Sequence, residues 1–106
     1  PKACAPIVSA WKQQPFPGGL GSSLAEGTMV ENPARLPEII ALLDRERDQI
    51  MSVTESEIAE AHRSMIRAGL YIEPTSAMVL AASKKVSETI GKSVLIISGS
   101  GLKSNR

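Results

Sequence analysis

The chain has 106 residues, 42% hydrophobic and 22% charged, with a formal net charge of +1. That balance fits one small globular unit and excludes a disordered tail. Lys and Arg are interspersed with Asp and Glu, so no electrostatic footprint for nucleic acid or an anionic membrane arises, and one Trp, one Tyr and one Phe make no base-stacking platform. A single Cys4 leaves no internal disulfide, and with the lone His62 it argues against a four-ligand zinc site. No apolar run reaches the roughly 20 residues of a membrane span, and PKACAPIVSAW lacks the basic start and long apolar centre of a secretory signal. A cytoplasmic location is the expectation. The start at Pro1 without an initiator Met is compatible with a piece of a longer protein.

In chain order, residues 1–12 predict a short helix with Pro6 in its first turn, and the prolines and glycines of 13–23 predict a loop. SLAEGTMV then reads as weakly extended. Asn32 and Pro33 form an N-cap and first-turn pair, and Leu36, Ile39, Ile40 and Leu43 follow at i, i+3, i+4 and i+7, the stripe of an amphipathic helix. QIMSV alternates as a strand does. Thr54 and Glu57 spell a capping box for the next helix, whose apolar stripe is Ile58, Ala61, Met65 and Ala68 and whose stop is Gly69. LYIE is the next expected strand. Thr75 or Ser76 caps a last helix that is apolar on all sides in AMVLAA, predicting cover on all sides, with Gly91 as its end. SVLIIS is the continuous apolar run of a buried parallel strand. Residues 24–103 thus predict β-α-β-α-β-α-β: an α/β unit with a mainly parallel sheet and crossover helices.

In such a sheet the strand C-termini share one edge, where ligands bind. Glu73-Pro74-Thr75-Ser76 and Ser98-Gly99-Ser100-Gly101 would meet there, the first opening a helix whose free N–H groups favour a polar neighbour. Taken alone, EPTS reads equally as a strand-to-helix turn with its cap, and GSG as a simple change of direction. PGGLGS lacks the G-K-[ST] ending of a phosphate loop and reads as a linker. His62 has no second catalytic group beside it, Lys84-Lys85 reads as a solvated face, and Cys4 has no visible partner. No role falls to any of them.

GLYIEPTSAMVLAA together with VLIISGSGLK resembles the C-terminal part of threonine synthases, pyridoxal-phosphate enzymes of the tryptophan-synthase β type, or fold type II. That family carries G-x-x-x-E-P-T-S-A before a helix and T-G-H-G-L-K near its end, matched here by Gly69 to Ala77 and by Ser98 to Lys103. Weaker likeness covers CAPIVSAW, SLAEGTMVENPAR and VTESEIAEAH. Ser98 replaces the usual Thr and keeps a hydroxyl, Ser100 replaces the usual His, Glu26 stands where Asp is usual, and Ser104 departs from an acidic residue.

The resemblance implies that residues 1–106 form the C-terminal portion of a larger catalytic chain that binds pyridoxal 5'-phosphate, with Ser98 at the ring nitrogen. Glu73 would lie along the ring, Gly99, Thr75 and Ser76 would close the site, and Glu26 and Gly27 would stand at its rim. The family's Schiff-base lysine lies in an S-F-K-D motif absent here, and none of Lys2, Lys12, Lys84, Lys85, Lys92 or Lys103 matches it. No catalytic residue is therefore assigned and no metal is expected; the segment alone is expected to be inactive.

The implied reaction converts O-phosphohomoserine and water to threonine and phosphate, so the expected partner is a small amino-acid phosphate. Serine or threonine dehydratases and racemases, which read E-P-S-G-A and S-G-G-N, are the nearest alternative; a cysteate-synthase-like enzyme using phosphoserine is another. A non-catalytic α/β binding or interaction module is the alternative from a different class. Strand edges and apolar faces left without neighbours predict a homo-oligomer.

Overall fold

A computed structural model describes residues 1–86 and 91–103. Among these residues four helices form: α1 (Pro6–Trp11), α2 (Leu36–Leu42), α3 (Glu55–Arg67) and α4 (Pro74–Ser83), with 3-10 turns at Glu26–Thr28 and Gly101–Lys103. α3 packs along α4, and α1 against α2.

The local signals place the starts of α1 and α3. Pro6 occupies the first turn of α1, where its missing N–H costs nothing. Thr54 Oγ1 accepts from the Glu57 backbone N–H at 3.3 Å while the Glu57 carboxylate accepts from the Thr54 N–H at 2.7 Å, so the capping box of α3 is closed. Ile58, Ala61 and Met65 form its buried face; Ala68 is its exposed C-cap, followed by Gly69 at φ +82°. Every residue of α4 is buried or half-buried, as its all-round apolar composition requires.

Three helix limits differ from expectation. α2 starts at Leu36 with Arg35 as N-cap, because Leu36 N–H bonds back to Pro33 in a turn and Pro37 takes the first helical turn instead of Pro33. The N-cap of α4 is Glu73, with Pro74 at its first position and no side-chain cap bond, so neither Thr75 nor Ser76 caps it. α4 ends at Ser83 in a series of turns, with Ser83 Oγ donating to the Leu80 carbonyl at 2.8 Å, well before Gly91.

The larger correction concerns the sheet. The expected α/β fold with a parallel sheet is not what forms: among the described residues there is no strand, only an isolated antiparallel bridge between Ile72 and Ser100. A strand exists only through the ladder a neighbour provides, and each expected strand meets something else. Around Glu26, Thr28 N–H bonds to the Ala25 carbonyl and Met29 N–H to the Glu26 carbonyl, curling the segment into a 3-10 turn. In QIMSV, the Val53 carbonyl accepts from Lys2 N–H at 2.7 Å and the Ser52 carbonyl from Lys85 Nζ at 3.1 Å. SVLIIS lies uncovered, Val94 being 91% and Ile96 79% exposed.

The core is small: Ala25, Val53, Ile58, Ala61, Met65, Ile72, Ala77 and Ala81, flanked by Met78, Leu80 and Ala82. Ile58 is its one large, fully buried side chain among the described residues, and such burial contributes about 1.5–3 kcal/mol. Outside the α-helices the core takes in Ala25, Val53 and, just before α4, Ile72. No helix of the described residues is long and apolar enough to cross a membrane.

Candidate functional site

The N-terminal end of α4 collects the candidate residues. Segment 71–73 and segment 99–101 run antiparallel and are joined by two backbone bonds, Glu73 N–H to the Gly99 carbonyl at 3.2 Å and Gly101 N–H to the Tyr71 carbonyl at 3.1 Å. The Gly99 N–H in turn donates to Ser76 Oγ at 2.9 Å. Ser76 is buried and stands one turn inside the helix, so its hydroxyl ties the SGSG loop to α4.

Two glycines permit this crossing. A Cβ on Gly99 would overlap the Glu73 carboxylate, which lies in the space a side chain would fill. A Cβ on Gly101 would stand 2.9 Å from the Ile72 carbonyl oxygen and 3.1 Å from its carbon, inside contact distance of rigid backbone. The sequence reading left Gly101 without a role; the signal for it is the small residue two places after Gly99, on the same side of an extended segment.

The third element is the 3-10 turn at Glu26–Thr28, which packs against α4. A Cβ on Gly27 would lie 3.5 Å from Thr75 Oγ1 and 3.8 Å from its methyl group, so Gly27 stands at ordinary contact distance from the first turn of α4. The turn is held by Glu55 at the start of α3: Ser23 Oγ donates to Glu55 Oε1 at 2.7 Å and Leu24 N–H to Oε2 at 2.8 Å. Ser23 Oγ also accepts from Ala25 N–H at 3.0 Å. Glu55 was not among the predicted residues, because a carboxylate in the first turn of a helix is ordinary by sequence and its loop partners lie some thirty residues away.

Glu73, Thr75, Ser76, Gly99 and Gly27 are thus brought together. Ser98 adjoins Gly99 and is exposed, and Glu26 adjoins Gly27 and is exposed. Within the described residues the Glu73 carboxylate and the Ser98 hydroxyl have no hydrogen-bond or ion-pair partner, whereas every buried side-chain polar atom is satisfied. The Glu73 carboxylate therefore lies over a bare glycine whose chain neighbour, Ser98, carries a free hydroxyl.

The lysines of α4 stand apart from this end. Lys84 pairs with Glu60 at 3.1 Å and Lys85 with Glu57 at 2.9 Å. Both lie past the far end of a ten-residue helix, about 15 Å from its start. Two apolar clefts also open away from Glu73 and Ser98. One of about 420 Å³ has Cys4, Ile7, Val30, Met51 and Met78 in its walls and touches the candidate residues only at Gly27. The other, of about 660 Å³, lies between Arg47–Met51, the outer side of α4 and Ser93–Leu95.

Comparison with known families gives this arrangement its class. The family model described as pyridoxal-phosphate dependent enzyme matches residues 1–99. The chain belongs to that family, and its cofactor is pyridoxal phosphate. No curated protein and no solved structure matches it.

Proposed function

We propose that the chain forms the ring-side wall of the cofactor site in a pyridoxal-phosphate-dependent threonine synthase, a lyase that converts O-phosphohomoserine and water to threonine and phosphate in the cytoplasm. The observation that carries the reading is the crossing at the start of α4, where Glu73 lies over Gly99, next to Ser98, within the motifs EPTSA and SGSGLK. Those motifs favour the synthase over the dehydratases, which read E-P-S-G-A and S-G-G-N.

Bound there, the cofactor supplies an electron sink for carbanion chemistry on an amino acid. In this reading Ser98 donates its O–H to the ring nitrogen; a neutral hydroxyl does not stabilise a positive ring as a carboxylate does. Glu73 flanks the ring and limits its rotation. Ser76 holds the Gly99 N–H, and through it the position of Ser98. Gly27 and Glu26 form the rim across from Thr75. The lysine that carries the cofactor, and the cradle for its phosphate, come from outside these residues. Exposed Val94 and Ile96 support association with further copies of the chain or with the remainder of a longer one.

The test is an assay of phosphate and threonine produced from O-phosphohomoserine by the protein encoded by the whole reading frame that contains this chain. Equal amounts of both, together with the cofactor's visible absorbance, are the expected result, and the 106-residue chain alone should show no turnover. Release of phosphate without threonine, or turnover of serine to a keto acid instead, would refute the synthase assignment.

A further inference from the structure

His62, left without a role by its sequence context, holds the backbone immediately before Glu73. It projects from the middle of α3, half-buried, and its Nε2 lies 2.8 Å from the Ile72 carbonyl oxygen. A carbonyl only accepts, so Nε2 carries the proton; neutral imidazole in that tautomer and imidazolium both donate from this atom, and protonation does not release the contact.

The placement of that carbonyl explains why it needs a partner. Ile72 is 6% exposed and packs with Ile58, Ala61 and Met65. The two bonds of the crossing use Glu73 N–H and the Tyr71 carbonyl, so neither satisfies the Ile72 carbonyl, although its oxygen lies close to Gly101. The imidazole from α3 supplies the donor instead. A buried carbonyl left unpaired in such a place carries its full desolvation penalty.

We propose that His62 is a positioning residue for Glu73: segment 71–73 is clamped both by the backbone bonds to segment 99–101 and by the His62 imidazole, so the carboxylate leaves a backbone held by two independent elements. The clamp follows from the bonds alone; its value to cofactor binding rests on the reading of Glu73 as the ring-side wall.

The test uses the cofactor-free form of the protein encoded by the whole reading frame that contains this chain, with His62→Phe, which keeps ring bulk and removes the donor, and His62→Gln, which restores an N–H of similar reach. Two readouts are taken by NMR. One is amide hydrogen exchange at Glu73 and Gly101, with Ala61 and Met65 of α3 as controls for the fold. The other is a titration with pyridoxine 5'-phosphate, which lacks the aldehyde and binds without a lysine, followed at Glu73 and Gly99 and repeated on Glu73→Gln.

In His62→Phe, exchange at Glu73 and Gly101 should rise about tenfold with the controls unchanged, and pyridoxine phosphate affinity should fall several-fold. His62→Gln should return both to the parent values. Unchanged exchange in His62→Phe overturns the clamp, as does a His62→Gln that stays as fast as His62→Phe. If His62→Phe lowers protection at the α3 controls too, His62→Gln decides: parent-like exchange at Glu73 upholds the donor, accelerated exchange overturns it. If the clamp holds but Glu73→Gln leaves pyridoxine phosphate binding unchanged, the cofactor reading of Glu73 falls and the clamp stands.

Discussion

At the residue scale, Gly99 and Gly101 are both close-packed but oppose different things, and the difference is measurable. The neighbour that a methyl group on Gly99 would strike is the flexible Glu73 side chain, which can swing aside; on Gly101 it is the carbonyl of Ile72, which cannot. Gly99→Ala is therefore expected to leave stability within about 1 kcal/mol of the parent, while Gly101→Ala, which overpacks against backbone, costs about 1–3 kcal/mol. Urea unfolding ranks the two. Gly99→Ala should also abolish the response of the Glu73 amide to pyridoxine phosphate while the fold persists. Equal stability losses would mean that the carboxylate is as rigidly held as the backbone.

At the element scale, α3 depends on its first turn. Thr54→Ala removes one half of the capping box and should cost about 1 kcal/mol, read from the urea midpoint. Glu57 adds a pH dependence. Its carboxyl is held below its ordinary value of 4.5, first by the Thr54 N–H and then by Lys85. A carboxylate whose folded pKa is depressed contributes stability that is present above its unfolded value and is lost as pH falls through the folded one. Glu57→Gln keeps a side-chain acceptor for the Thr54 N–H but cannot ionise. The stability gap between parent and Glu57→Gln should thus be largest near neutral pH and close as the pH falls below the ordinary value of 4.5 and through the lowered folded one. Asp44, lowered by the Glu46 N–H and by Arg47, titrates in both proteins and drops out of the difference. A gap that stays constant down to about pH 3 would show that the charge of Glu57 contributes nothing.

At the scale of the whole molecule, the chain is a thin body of 38 × 36 × 21 Å with a radius of gyration of 14.3 Å, looser than the ~13 Å of a compact domain of this length. Among the described residues, 92–98 make no backbone hydrogen bond, and Val94, Ile96 and Leu102 stand in solvent. Unpaired N–H and C=O groups with β-branched side chains are what a second extended segment would pair with. Sedimentation of the chain should show concentration-dependent dimers, and Ile96→Lys should return it to monomer without altering α3 or α4 by circular dichroism. A parent chain that stays monomeric at high concentration would refute self-association through this segment.

What sequence alone determined were the features carried by neighbours along the chain. Pro6 opening α1, the Thr54–Glu57 box and the Gly69 stop need only contacts a few residues apart, the all-round apolar composition of α4 foretold its cover without saying what supplies it, and the EPTSA and SGSGLK motifs were visible as a pair. The sheet was not decided there, because SVLIIS spells a buried strand only if other strands lie beside it, and among the described residues none does. The meeting of Glu73 with Gly99 and the grip of His62 on the Ile72 carbonyl were likewise left to the tertiary structure. Partners ten to twenty-six residues apart are joined by the packing of α3 on α4 and by the return of the 99–101 segment, and no local propensity encodes where such a return will land.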